Sequence, residues 1–167
     1  MKYKSSKGFS LIEILIALVL LSLGLLGIEA LVLRTVKGND SAYMRSQNVQ
    51  LAYSILDMMR ANRAQAMAQG YDTAFTATCP PLPTAPAVLC DAAACTPAQL
   101  ATWDLYQWQL RLCAALPSGQ GKIATVTANG STTATITIQW DDSRAQQGYS
   151  SATAAPNIVS FVLGTAL

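Results

Sequence analysis

The sequence predicts an α+β fold. One long N-terminal helix, apolar in its first half and amphipathic in its second, packs on a small antiparallel β-sheet. An additional helix and a Cys/Pro-rich loop lie between them. Three observations predict this. An apolar run fills residues 9–33, no proline occurs before Pro80, and the C-terminal segment alternates apolar and polar residues about an Asn129-Gly130 turn.

The chain opens on MKYKSSKG, short, basic and ending in Gly8. The run from Phe9 to Leu33 follows. At about 1.5 Å per residue its helix spans ~37 Å, enough to cross ~30 Å of hydrocarbon with some tilt. Lys2, Lys4 and Lys7 precede it, and Arg34 and Lys37 follow it. The lysine-rich side is expected to stay cytoplasmic, although the two later cations weaken the contrast. A secretory signal peptide has a shorter apolar region, of ~7–15 residues, and a small-residue cleavage site after it. No such site follows this run.

A plain membrane anchor does not explain Glu13, which sits inside the run one helical turn past Phe9. An intramembrane carboxylate is costly and usually has a partner. If the chain is cut between Gly8 and Phe9, the new ammonium of Phe9 lies at nearly the same depth. Glu13 can then pair with its own amine or with a neighbour's, and the second choice would set the stagger between subunits. Gly24 and Gly27 permit close helix packing. Glu29 lies near the far interface and is assigned no role.

From Asn39 to about Gly70 the helix is expected to continue, with a kink at Gly38, Asn39 and Asp40. Met44, Leu51, Ile55, Met58 or Met59, and Ala66 make one apolar stripe. Asp57 and Arg60 stand at helical spacing. In the Pro-, Ala- and Cys-rich stretch from Tyr71 to Pro97, Pro80, Pro81, Pro83 and Pro86 exclude a regular helix. Thr96 is a credible N-cap with Pro97 at the first helical position. A helix over residues 97–115 follows, in which Leu100, Trp103, Leu105 or Tyr106, Leu110 and Cys113 alternate with polar positions. Pro117 ends it. Residues 122–128 and 133–140 alternate about Asn129-Gly130, the strongest short hairpin signal. Ile123, Thr125 and Thr127 share one face, as do Ile136, Ile138 and Trp140. A polar loop over residues 141–155 leads to a third strand, residues 157–162. Asp141-Asp142 reads as a solvated turn.

All four cysteines, Cys79, Cys90, Cys95 and Cys113, lie beyond the apolar run. An even count in an exported domain favours disulfides. An unbroken helix separates Cys95 from Cys113 by about 27 Å, far beyond the ~7 Å that a disulfide allows. Two connectivities remain open: 79–95 with 90–113, or 90–95 with 79–113.

Composition narrows the function. The chain is 51% hydrophobic and 12% charged, with net charge +2 and no histidine. That charge share is about half the ~25% of ordinary globular proteins. Without the three leading lysines the balance is near neutral, so no basic stripe points to nucleic acid. The commonest general base and metal ligand is absent. No nucleophile-base set, phosphate loop or metal cluster is visible. No enzyme, cofactor or metal is expected, and no direct nucleic-acid partner.

Lys7-Gly8-Phe9-Ser10-Leu11-Ile12-Glu13 resembles the type III signal of type IV prepilins and pseudopilins. The resemblance implies that a prepilin peptidase cleaves after Gly8 and methylates Phe9, and that Glu13 directs assembly. It makes residues 1–8 a leader peptide, 9–33 a transmembrane helix, 34–70 the amphipathic half of the long helix, and 71–167 a globular head of pilin-like architecture. The head divides into a loop (71–96), a helix (97–115) and a sheet (122–167). Ser41-Ala42-Tyr43, Arg45-Ser46-Gln47, Leu51-Ala52-Tyr53 and Met59-Arg60-Ala61-Asn62-Arg63 resemble PilV-type minor pilins. So do Ala101-Thr102-Trp103-Asp104, Trp108-Gln109, Leu116-Pro117 and Gly119. This second resemblance implies a structural subunit that primes or caps a type IV pilus. Its expected partners are the peptidase, other minor pilins, the major pilin and the inner membrane. The expected placing is a single span with a periplasmic head, then the pilus. A pseudopilin of type II secretion, or a tip adhesin using the loop from Cys79 to Cys95, are the alternatives.

Overall fold

The computed structural model describes residues 10–76, 78–143 and 156–167. Their elements run α1 (Leu11–Ala61), α2 (Arg63–Met67), α3 (Pro97–Ala115), β1 (Gln120–Ala128), β2 (Ser131–Asp141) and β3 (Ile158–Ala166). The chain divides into two compact units, residues 1–39 and 40–167. In the first, α1 is apolar and none of its described residues is buried. The rest of α1 belongs to the second unit, which holds the core.

Gly38, Asn39 and Asp40, where a kink is expected, are helical. A break in the helix falls at Asn62, whose φ of −112° and ψ of 48° leave the helical region. Beyond Asn62, α2 is a short coda that ends at Met67, and Gln69, two residues on, takes φ 62°. The amphipathic stripe of α1 is buried as Met44, Asn48, Leu51, Ala52, Ile55, Leu56 and Met59. Asn48 breaks the apolar rule and is fully buried. Its side-chain amide donates to Met44 O at 2.9 Å, one turn back. Asp57 and Arg60 form a 3.6 Å ion pair on the exposed side.

Thr96 and Gln99 cap α3 reciprocally. Gln99 N–H donates to Thr96 Oγ1 at 3.3 Å, and Thr96 N–H donates to Gln99 Oε1 at 2.9 Å. Two donors that a helix start leaves unpaired are thereby satisfied. The buried face of α3 is not the expected stripe. It is Ala101, Asp104, Trp108 and Leu112, while Leu100, Trp103, Leu105, Tyr106, Leu110 and Cys113 are half-buried. Partnered polar atoms explain the rotation. Trp108 Nε1–H donates to Leu51 O at 3.0 Å, which fixes α3 to α1.

The three strands form one antiparallel sheet in the order β1-β2-β3. β1 and β2 meet as Ala128↔Ser131. Between them Asn129 (φ 52°) and Gly130 (φ 78°) both take the left-handed region that a tight hairpin needs. Ile123, Thr125, Ala134, Ile136, Ile138 and Trp140 are buried on the inner face. Thr127 shares that face, its hydroxyl 2.9 Å from that of Thr132, but is exposed near the turn. β3 runs further than expected, to Ala166, and packs Val159, Phe161 and Leu163 against the core. Gly121 lies under the indole of Trp108, where a Cβ would collide with the ring.

Asp141-Asp142 is not a solvated turn. Asp142 is 1% exposed, and its Oδ2 accepts from Ser41 Oγ at 2.9 Å. Asp141 Oδ1 accepts from the backbone N–H of Ser143 at 2.9 Å and of Asn157 at 3.1 Å. The pair ties the end of β2 to α1 and to the approach to β3. The rest of the expected polar loop, residues 144–155, lies outside the described residues.

Candidate assembly site

Two regions carry the sequence-predicted residues. The first is the N-terminal part of α1. The helix opens with Glu13 N–H donating to Ser10 O at 3.1 Å and Ile14 N–H at 3.3 Å. Glu13 is the acid of this first turn and is exposed. Around and beyond it Leu11, Ile12, Ile14, Leu15, Ile16 and Leu18 are exposed large hydrophobics. Burying one such side chain is worth about 1.5–3 kcal/mol, so a run this long demands lipid or protein around it. At ~100° per residue Ala17 and Gly24 fall on the same helix face as Glu13. Nothing lies within 4 Å of a Cβ built on Gly24 or Gly27. A second helix can therefore approach closely alongside the carboxylate. Gly8 and Phe9 lie outside the described residues.

The second region is the head beside the cysteines. Cys79 is bonded to Cys113 and Cys90 to Cys95. This is one of the two connectivities that spacing left open. The first bridge staples the Pro-rich loop to the last turn of α3. Two open clefts flank it, of about 410 Å³ and about 360 Å³, both lined by Cys79, Leu82 and Cys113. Among the described residues no group of three His, Cys, Asp or Glu side chains could hold a metal.

Behind this loop lies a buried polar knot that no sequence motif announced. Tyr71 hydroxyl donates to Asp104 Oδ2 at 2.6 Å. Asn62 Nδ2 donates to the Tyr71 oxygen at 3.3 Å and to Pro97 O at 2.7 Å. Burial pushes the Tyr71 hydroxyl far above its ordinary value, and the neighbouring Asp104 adds to it. Burial likewise raises Asp104, against the opposing bond from Tyr71. The knot joins the end of α1, the start of the loop and α3. Nearby, Asp72 accepts from Thr125 N–H at 3.0 Å and Thr125 Oγ1 at 2.7 Å, tying the loop to β1.

One unit is thus an unburied apolar helix and the other a small sheet-bearing head. Residues 30–106 match the family described as Tt1218-like, type IV pilin Tt1218, and residues 3–28 match the prokaryotic N-terminal methylation motif. These matches support a type IV pilin, a structural and non-enzymatic kind of subunit, so the chain is not an enzyme. The motif implies processing by prepilin peptidase and assembly into a pilus, and together with the apolar helix it fits membrane anchoring. Neither the curated proteins nor the solved structures compared with the chain give a match.

Proposed function

We propose that the chain is a minor pilin of the PilV type, which primes or caps a type IV pilus. The observation that carries the reading is the methylation motif over residues 3–28, which encloses Gly8, Phe9 and Glu13 and leads into an unburied apolar helix. Prepilin peptidase cuts between Gly8 and Phe9 and methylates the Phe9 amine. The helix spans the inner membrane once and the head lies in the periplasm until the subunit enters the pilus. There Glu13 accepts the ammonium of a neighbouring subunit. In apolar surroundings a carboxylate without a counter-ion is strongly disfavoured, so the pair fixes the axial stagger. The head, stapled by two disulfides, meets other minor pilins and the major pilin.

Mass spectrometry of the mature chain should find N-methylated Phe9 as the first residue. Gly8 replaced by a bulky residue should leave the precursor uncut; normal processing would remove the cleavage site. Glu13→Ala should insert into the membrane yet be missing from purified pili. Gene deletion that abolished protein secretion but left twitching intact would move the chain to a type II secretion pseudopilin.

A further inference from the structure

Among the described residues the sheet order makes β3 an edge strand. Two bonds fix which of its backbone groups face outward. Asp142 N–H donates to Asn157 O at 2.9 Å, and Leu167 N–H donates to Thr132 O at 2.9 Å. Asn157 and Leu167 flank β3, and in an antiparallel ladder the inward-facing residues alternate. The odd-numbered residues of β3 therefore turn their N–H and C=O groups toward β2. Ile158, Ser160, Val162, Gly164 and Ala166 turn theirs toward the open edge. Of these groups, only Ala166 O is met by a described residue, the Thr165 hydroxyl at 3.3 Å.

Natural sheets protect such edges with charges, prolines or bulges. β3 reads IVSFVLGTA and carries neither charge nor proline. Beside the open backbone row, Ile158 is 51% and Val162 58% exposed. A Cβ on Gly164 would meet nothing within 4 Å. The opposite edge of the sheet is covered. Thr73 bridges Ile123, and Thr76 N–H donates to Gly121 O at 3.1 Å.

We propose that the open edge of β3 is an interaction surface that takes an extended strand of a different protein subunit as the fourth strand of this sheet. The row of amides and carbonyls, of which all but Ala166 O meet no described residue, specifies an extended backbone. The uncharged side chains beside it specify a segment with small or apolar residues at alternate positions. The identity of the occupant rests on the pilin reading above. Ser41 is bonded to Asp142 at the start of β3, and Arg63 donates to Leu167 O at its end, at 3.0 Å. The head-bearing part of α1 therefore runs parallel to β3. Two copies joined β3 to β3 about a twofold axis would point these helices in opposite directions. Subunits that repeat one Glu13–ammonium stagger along a filament, as proposed above, point their helices one way. Joining β3 to β1 of another copy is blocked by Thr73 and Thr76. A strand from a different subunit meets neither obstacle.

The test places benzoylphenylalanine at Ser160, at Val162 and, as control, at Lys122 on β1, in the full-length chain in piliated cells. After irradiation, sequencing of the adducts should find one extended segment of another pilus subunit joined to residues 160 and 162 and absent from 122. Val162→Pro removes an outward N–H without touching the β2 ladder. Combined with the probe at Ser160 it should abolish the adduct. Val162→Lys should do the same, and retention of the Cys79–Cys113 disulfide reports that each variant folds. Absence of adducts from a chain that still enters pili overturns the edge proposal alone. So does an adduct to this chain's own sequence, or one that survives both substitutions. A chain that never enters pili overturns the pilin reading, and the occupant with it.

Discussion

The Tyr71 hydroxyl donates to a carboxylate that is only 9% exposed, so each member of the pair depends on the other. Tyr71→Phe leaves Asp104 without its donor. A hydrogen bond to a charged group is worth about 1.5–3 kcal/mol, and a loss of that size is expected in urea unfolding of the purified chain. Asp104 also sets a pH dependence. Its folded-state value is raised by burial, so the folded protein holds that proton more tightly than the unfolded chain does. The stability it contributes is fully present below the unfolded carboxylate range, about pH 3.9, and is lost as pH rises through the higher folded value. Asp104→Asn removes this titration. Its stability relative to the unaltered chain should therefore improve from about pH 4 toward neutrality, read from unfolding midpoints at each pH. A constant difference would show that Asp104 does not titrate in that window.

At the scale of elements, α3 begins where its own cap dictates and turns the face that the core dictates. Thr96→Ala removes the side-chain acceptor for Gln99 N–H and should cost about 1 kcal/mol. Hydrogen exchange should speed in the first turn of α3 and remain slow at Trp108. The hairpin was legible because Asn129 and Gly130 accept left-handed backbone without help from elsewhere. The start and end of α3 were legible for the same reason. Its inward face was not. Counting apolar residues points to Leu100, Trp103 and Leu110, whereas the buried stripe contains Asp104. A carboxylate enters the core only because Tyr71 stands there, and nothing within α3 reveals that.

The whole molecule is held by contacts that span large stretches of chain. Cys79–Cys113 encloses a sequence separation of 34 and Cys90–Cys95 one of 5. By loop-closure entropy the first contributes about 4 kcal/mol and the second about 2 kcal/mol. Replacing Cys79 and Cys113 together by Ser should thus lower the unfolding midpoint more than replacing Cys90 and Cys95, as thermal unfolding can measure. A larger effect from the short bridge would contradict the entropic account. Assembly belongs to this scale as well. None of the described residues in the apolar part of α1 is buried, and a run this apolar calls for lipid or other subunits around it.

What the sequence alone determined is whatever a few neighbouring residues decide: the apolar run with Glu13 inside it, the cap at Thr96 and Pro97, the Asn129-Gly130 hairpin and the alternation of the strands. Helix periodicity also placed Met44, Leu51, Ile55 and Met59 inward, because one repeating pattern reports one face. Only the tertiary structure chose between the two cysteine connectivities, broke the long helix at Asn62, and buried Asp104 and Asp142. Those outcomes depend on partners remote in the chain: Tyr71 is 33 residues from Asp104, and Ser41 is 101 residues from Asp142. A polar group goes inside when a partner meets it there, and local composition does not record which distant residue that will be.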